Sequence, residues 1–280
     1  MKYGVKRGEV SEYCDLLVSR LDSRIPREIK ADILYHAAIL YVWGGYVDKA
    51  VDLIEKWIDK LKGKKKDALQ ERFRYLLGIL KTLSKDPEGE EIRVRVKEEL
   101  LQMGRGDLVF DICKSVGDVI SREDPETALV LYMEAYELSS GLKLDPELML
   151  ELTQKMAFTA RNVGEEERAI FYALKSLEYA KKTGSGNDIF AAYITTAELY
   201  RNSGDIGRAI EYLAVALDFA RKQGLREELG KAAVALAELY EMAGDEGRAL
   251  KLLRENRAFI EEIEDEEIRE KARKMLKEKE

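Results

Sequence analysis

Apolar residues recur along this chain at intervals of three and four, the spacing of a stripe on one side of an α-helix. Val10, Tyr13, Cys14, Leu17, Val18 and Leu21 form the first stripe, which predicts a lid helix over about residues 8–21. Pro26, with a fixed φ suited to a first helical turn, opens a second helix lined by Ile33, His36, Ala37, Leu40 and Tyr41. Gly44-Gly45 ends it, and Asp48-Lys49-Ala50 begins a partner with Val51, Ile54, Trp57, Ile58 and Leu61 inward. Leu69, Phe73, Leu76, Leu77, Leu80 and Leu83 make the next helix, closed by Lys85-Asp86-Pro87. The stretch from Ile92 to Val96 alternates like a strand, yet Ile92, Val96, Leu100 and Met103 also share one helical face. An isolated strand among helices would leave its edges unpaired, so a helix is expected.

The remaining helices follow in pairs. Asp107 is the expected N-cap of a helix through Phe110, Cys113, Val116, Gly117 and Ile120. Asp124-Pro125 opens its partner, with Ala128, Leu131, Tyr132, Ala135 and Leu138 inward, and Asp145-Pro146 opens the next pair, divided at Gly164. A last helix from Asp265 to Lys279 carries Ile268, Ala272, Met275 and Leu276 on one face and only charge on the other. Six pairs with a helix at each end, about 14 helices, are expected.

The best-formed pair, Asn187 to Gln223, recurs at a spacing of 40 residues. Its landmarks Ala197, Leu199, Tyr200, Gly204, Asp205, Arg208 and Ala209 are matched by Ala237, Leu239, Tyr240, Gly244, Asp245, Arg248 and Ala249 downstream. Upstream, Ala157, Ala160, Gly164, Glu165, Arg168 and Ala169 repeat the pattern. A fixed period of this size denotes one two-helix unit stacked repeatedly. Small residues at Ala197, Ala209, Ala237 and Ala249 let helix axes approach, with Tyr200, Tyr212, Leu213 and Tyr240 filling the space beside them. The pattern resembles the tetratricopeptide repeat in a variant longer than usual.

That resemblance implies an all-α solenoid, a right-handed superhelix. The chain is then one domain over residues 1–280, with a cap at 1–24, six repeats over 26–262 and a second cap at 264–280. It implies a non-enzymatic interaction module or scaffold that holds a peptide or helix of another protein in a concave groove lined by the first helices. The groove residues expected are Lys114, Asp118, Ser121 and Arg122; Gln154, Phe158, Arg161 and Asn162; Ile194, Glu198, Arg201 and Asn202; and Val234, Glu238 and Glu241. The Arg-Asn pair at 161/162 and 201/202 forms a ladder suited to a backbone or a carboxylate. Against this stand ordinary roles: Arg complements a helix C-terminus, and Glu198 can pair with Arg201. The carboxylate clamp of some co-chaperone relatives is not evident, since Glu198 and Glu238 stand where Asn or Lys would be needed.

Composition narrows the alternatives. The sole histidine, His36, lies in an apolar run and is expected in the core; it excludes a histidine metal cluster and a two-histidine dyad. Cys14 and Cys113 fall on apolar faces far apart, as buried free thiols do. The loop Lys182-Thr-Gly-Ser-Gly-Asn187 follows a helix and lacks the Gly-Lys ending of a phosphate loop. Neither a catalytic residue, a metal site nor a cofactor is therefore expected. With no apolar run of membrane-spanning length and no secretory signal, a cytoplasmic protein is expected. Abundant Lys and Glu beside four Asn and four Gln is a bias of thermophile proteins.

The formal charge of −7 is uneven: residues 1–105 carry 22 basic and 18 acidic side chains, residues 106–280 carry 25 and 36. Lys60, Lys62, Lys64, Lys65, Lys66, Arg72 and Arg74, with Trp57 and Phe73 nearby, offer a rival function in RNA or DNA binding. A regulatory sensor acting through small-peptide binding or self-association, as a homo-oligomer, is a second alternative.

Overall fold

The stripes become helices where the periodicity places them. A computed structural model describes residues 6–61 and 67–277. Fifteen α-helices and one 3-10 turn make up the regular structure of the described residues, without a strand. After the turn Arg7–Glu9 come α1 (Val10–Ser19), α2 (Arg27–Gly44), α3 (Val47–Ile58), α4 (Ala68–Leu83), α5 (Glu88–Gln102), α6 (Gly106–Ile120) and α7 (Pro125–Ser139). Then follow α8 (Pro146–Asn162), α9 (Glu166–Thr183), α10 (Gly186–Asn202), α11 (Ile206–Gln223), α12 (Arg226–Met242), α13 (Glu246–Glu255), the single turn α14 (Arg257–Ile260) and α15 (Glu266–Lys277). The chain divides into two compact units, Met1–Lys143 and Leu144–Glu280, each with three helix pairs. No helix among the described residues is long and apolar enough to cross a membrane.

The turns explain why the pairs form. Gly164, Gly204 and Gly244 adopt φ of 80°, 82° and 78°, a left-handed conformation that costs glycine nothing. The N–H of the following residue turns back to the carbonyl five residues earlier: Glu165 to Ala160 at 2.9 Å, Asp205 to Tyr200 at 2.9 Å, Asp245 to Tyr240 at 2.8 Å. This is a Schellman closure. The carboxylates of Asp205 and Asp245 then accept the N–H of Arg208 and Arg248 at 3.0 Å, capping the next helix. One Gly-Asp dipeptide thus ends a helix and starts its partner. The turn between α4 and α5 has the same closure, Asp86 N–H to Lys81 carbonyl at 2.9 Å, but Lys85 occupies the left-handed position at φ 62°.

In the C-terminal unit the small residues lie where the repeat needs them. Ala197, Ala209, Ala216 and Ala237 are buried, with Tyr200 and Leu213 beside them. Tyr200 stacks on Tyr212 with centroids 5.4 Å apart. The repeated arginine gains a role that the sequence did not reveal: Arg208 and Arg248 lie over the Tyr200 and Tyr240 rings at 5.4 and 5.8 Å. Each also pairs with its capping aspartate, at 3.4 and 3.1 Å.

The N-terminal unit packs differently. Glycines serve at the α4–α5 crossing, where a Cβ on Gly78 would lie 2.7 Å from the Arg93 backbone nitrogen and one on Gly89 would lie 2.4 Å from that of Thr82. The close approach delivers Arg93 to Glu134 of α7, only 6% exposed, which also receives Lys97 at 2.8 Å. Beneath this cluster the Tyr75 hydroxyl lies 3.1 Å from the Cys113 thiol, and burial raises the pKa of both groups. Both cysteines are free and buried.

Two local expectations, for His36 and Asp107, are corrected, and a third, the helix over Ile92 to Val96, is borne out. His36 is exposed, its Nδ1 2.7 Å from the Asp32 carbonyl. Helix α2 buries an unbroken run from Ala37 to Val42, so its apolar band is wide enough to leave His36 at the margin. Asp107 lies in the first turn of α6 rather than before it, held by Arg105 through bonds of 2.9 and 2.8 Å. The strand-like stretch from Ile92 to Val96 is helical, within α5.

Candidate functional site

Helices α8 and α10 of the C-terminal unit present polar side chains, with the exposed Phe158 of α8 among them. On α8, Gln154, Phe158, Arg161 and Asn162 are exposed, Phe158 to 55%. The Arg161 guanidinium lies 4.9 Å from the Phe158 ring centroid. Forty residues on, Glu198 and Asn202 of α10 are exposed and Arg201 half-exposed. Leu150 of α8 and Ala192 of α10 share a buried cluster with Leu177 and Ala180 of α9, which fixes the two presenting helices within one packed unit.

The pairing of Glu198 with Arg201 that would have made this stripe self-satisfied does not form. Among the described residues neither Arg161 nor Arg201 has an ion-pair partner, and Glu198 has none either. Both arginines lie in the last turns of their helices, where the helix dipole favours a cation but satisfies few of its five donors.

The other expected groove residues are placed otherwise. Val234 is 1% exposed, in a cluster with Ala272 and Met275 of α15, and Glu238 receives Lys271 of that helix at 2.7 Å. The last helix therefore covers the part of α12 expected to line a groove, and Glu241 is half-buried beside it in sequence. An amphipathic final helix must bury its apolar side, and the face of the last pair is what it finds. In the N-terminal unit, Lys114 donates to Asp118 at 2.9 Å, and Asp118 also accepts the Tyr132 hydroxyl at 2.9 Å. Asp118 thus reaches the second helix of its own pair instead of facing away. Arg122 is exposed, Ser121 is half-buried, and α2 packs directly on α6 in this unit.

The basic stretch is divided. Arg72 lies over the Tyr35 ring at 4.2 Å and pairs with Asp32 at 3.3 Å, and Arg74 pairs with the fully buried Glu71 at 3.0 Å. Phe73 is core. Lys60 remains exposed, while Lys62, Lys64, Lys65 and Lys66 lie outside the described residues.

No protein-family model matches the sequence, and no curated protein is significantly similar to it. Solved structures resemble the fold. BtubC (BKLC) from P. vanneervenii is similar over 90% of this chain and 89% of its own, with 17% identity and a TM-score of 0.52. The apo form of RapI is similar over 94% of this chain and 77% of its own, with 14% identity and a TM-score of 0.52. A signal-transduction ATPase with a tetratricopeptide repeat sensor from Pyrococcus horikoshii is similar over 95% of this chain but only 40% of its own, with 17% identity and a TM-score of 0.50. The 40-residue period, the Schellman turns, the small residues at the helix crossings and these likenesses agree: in fold, the chain is a tetratricopeptide-like repeat protein.

Proposed function

We propose that the chain is a non-enzymatic interaction module whose C-terminal unit captures an acidic segment of another protein on the exposed face of α8 and α10. The observation that carries this reading is the pair of guanidiniums at Arg161 and Arg201, one repeat apart and without ion-pair partners, beside the exposed Phe158. Arginine binds carboxylates through paired donors, and Asn162 and Asn202 offer both donor and acceptor to a peptide backbone. Phe158 supplies the apolar anchor, and aromatic and arginine side chains dominate the energetics of most interfaces. Lys114, Asp118, Arg122, Glu238 and Glu241 fall outside this proposed contact.

The test is selection of peptides on the immobilised full-length chain, followed by fluorescence anisotropy with the selected sequences. Phe158→Ala should weaken them about tenfold, and the double change Arg161→Ala with Arg201→Ala about 100-fold, the range of anchor residues. Peptides that bind the double variant as tightly as the parent would sink the reading, as would a selection that enriches no acidic sequence.

A further inference from the structure

The N-terminal unit holds a cleft of about 520 Å³ between α1 and α3, within the roughly 300–1,000 Å³ of small-molecule sites. Leu53 and Trp57 of α3, Val18 of α1 and Leu21 supply the apolar part of its lining. Lys49, Asp52, Lys56 and Lys60 follow at intervals of three and four along α3 and just past its end, so all four line the cleft on one stripe.

These charges are not equivalent. At one end Asp15 accepts the Tyr41 hydroxyl at 2.6 Å and the Lys49 ammonium at 3.2 Å, and Lys49 also donates to Ser11 at 2.6 Å. That cluster is complete, and the Tyr41 bond holds the Asp15 carboxyl below its usual range. At the other end Lys56 and Lys60 have no ion-pair partner among the described residues, Lys60 lying 4.8 Å from the Trp57 centroid. Asp52 offsets one of these two charges, leaving an excess of one positive charge over an indole floor. The Trp57 indole N–H is also buried without an acceptor among the described residues.

We propose that this cleft binds a small organic anion, its flat apolar body on Trp57 and Leu53 and its carboxylate or phosphate between the Lys56 and Lys60 ammoniums. The apolar floor distinguishes it from a site for inorganic ions. The excess positive charge distinguishes it from one for amines. It is independent of the peptide site, since every residue involved belongs to the other unit.

The experiment uses the full chain carrying Trp43→Phe, so that Trp57 is the only indole of the two in the sequence. Phenyl phosphate, phenylacetate and benzylamine are titrated while Trp57 fluorescence is followed, with calorimetry as a second readout. The anions should give saturable changes and benzylamine none. Lys56→Gln and Lys60→Gln should each weaken the anions about tenfold, the loss of one charge-assisted hydrogen bond. Because both lysines are exposed, the melting temperature of these variants should match the parent. Binding of only one of the two anions would uphold the site and name its head group. Equal binding of benzylamine, lysine variants with parental affinity, or no saturable change with either anion would overturn it.

Discussion

Gly89 offers the sharpest test of how the N-terminal unit is packed. It stands at the second position of α5, buried against the last turn of α4. A methyl group there would lie 2.4 Å from the Thr82 backbone nitrogen and 2.8 Å from the Lys81 carbonyl carbon, where ordinary contact begins at 3.4 Å. The two helices would have to separate by about 1.0 Å, the difference between 3.4 and 2.4 Å. Both of these atoms are backbone and cannot rotate aside, and the third obstruction, the Thr82 hydroxyl oxygen at 2.8 Å, is tied to the Gly78 carbonyl at 2.9 Å. Overpacking of this kind costs about 1–3 kcal/mol, here toward the upper end. Separation would also draw Arg93 away from Glu134. Helix propensity acts in the opposite direction, but the roughly 1 kcal/mol gained by Gly→Ala applies to helix interiors and shrinks at a first turn. Gly89→Ala should therefore lose about 2–3 kcal/mol, lowering the melting temperature by about 4–10 °C. Urea unfolding followed by circular dichroism measures it, with the midpoint falling and the slope unchanged. Gly207→Ala is the control: its added methyl would meet only the Asp205 carboxylate, at 3.6 Å, and that variant should match or slightly exceed the parent. A Gly89→Ala protein as stable as the parent would refute the close crossing of α4 and α5.

Other perturbations probe separate parts of the fold. Ala209→Leu should cost about 1–3 kcal/mol, because Ala209 is fully buried between the helices of its pair; an unchanged melting curve would refute that packing. Lys85→Gly should stabilise the chain by about 0.5–1 kcal/mol, since the left-handed cost to a side chain exceeds glycine's added chain entropy and Lys85 is exposed; urea unfolding reads the sign. Glu134→Ala leaves Arg93 and Lys97 without their shared carboxylate and should cost about 3 kcal/mol, measured in the same way. Burial pushes the Cys14 thiol from 9.0 up to about 11, with the Asp15 charge adding to it, and raises Cys113 in the same direction. The unfolded thiols release protons first as pH rises, so this contribution is intact below about pH 9 and lost on the way to about pH 11. Thermal melts across that range should fall, and both thiols should resist a thiol reagent at pH 8 until the chain is unfolded; rapid labelling of the folded protein would contradict their burial.

The helices and their junctions were legible in the sequence because their causes are local. A stripe at three and four fixes which side of a helix is apolar, and Gly-Asp at a fixed offset specifies both a left-handed C-terminus and the next N-cap. Even the strand-like run from Ile92 to Val96 is helical, because an isolated strand among helices has nothing to pair with. The small residues Ala197, Ala209, Ala237 and Ala249 could be assigned to helix crossings for the same reason, since a 40-residue period repeats one geometry.

Periodicity, however, refers each side chain only to its own helix axis, and what covers a face comes from elsewhere in the chain. Val234 and Glu238 read as groove residues until the last helix, α15, is folded over them. Asp118 read as outward until Tyr132 reached it from α7, and Arg72 read as a free cation until Tyr35 and Asp32 of α2 enclosed it. Conversely, Arg161, Arg201 and Phe158 kept their exposure because no later segment packs on that side of α8 and α10 among the described residues. The sequence by itself determined the repeat, its turns and the small residues at its crossings. Only the tertiary structure decided which faces stay open, because burial of a face is a contact between segments distant in the chain.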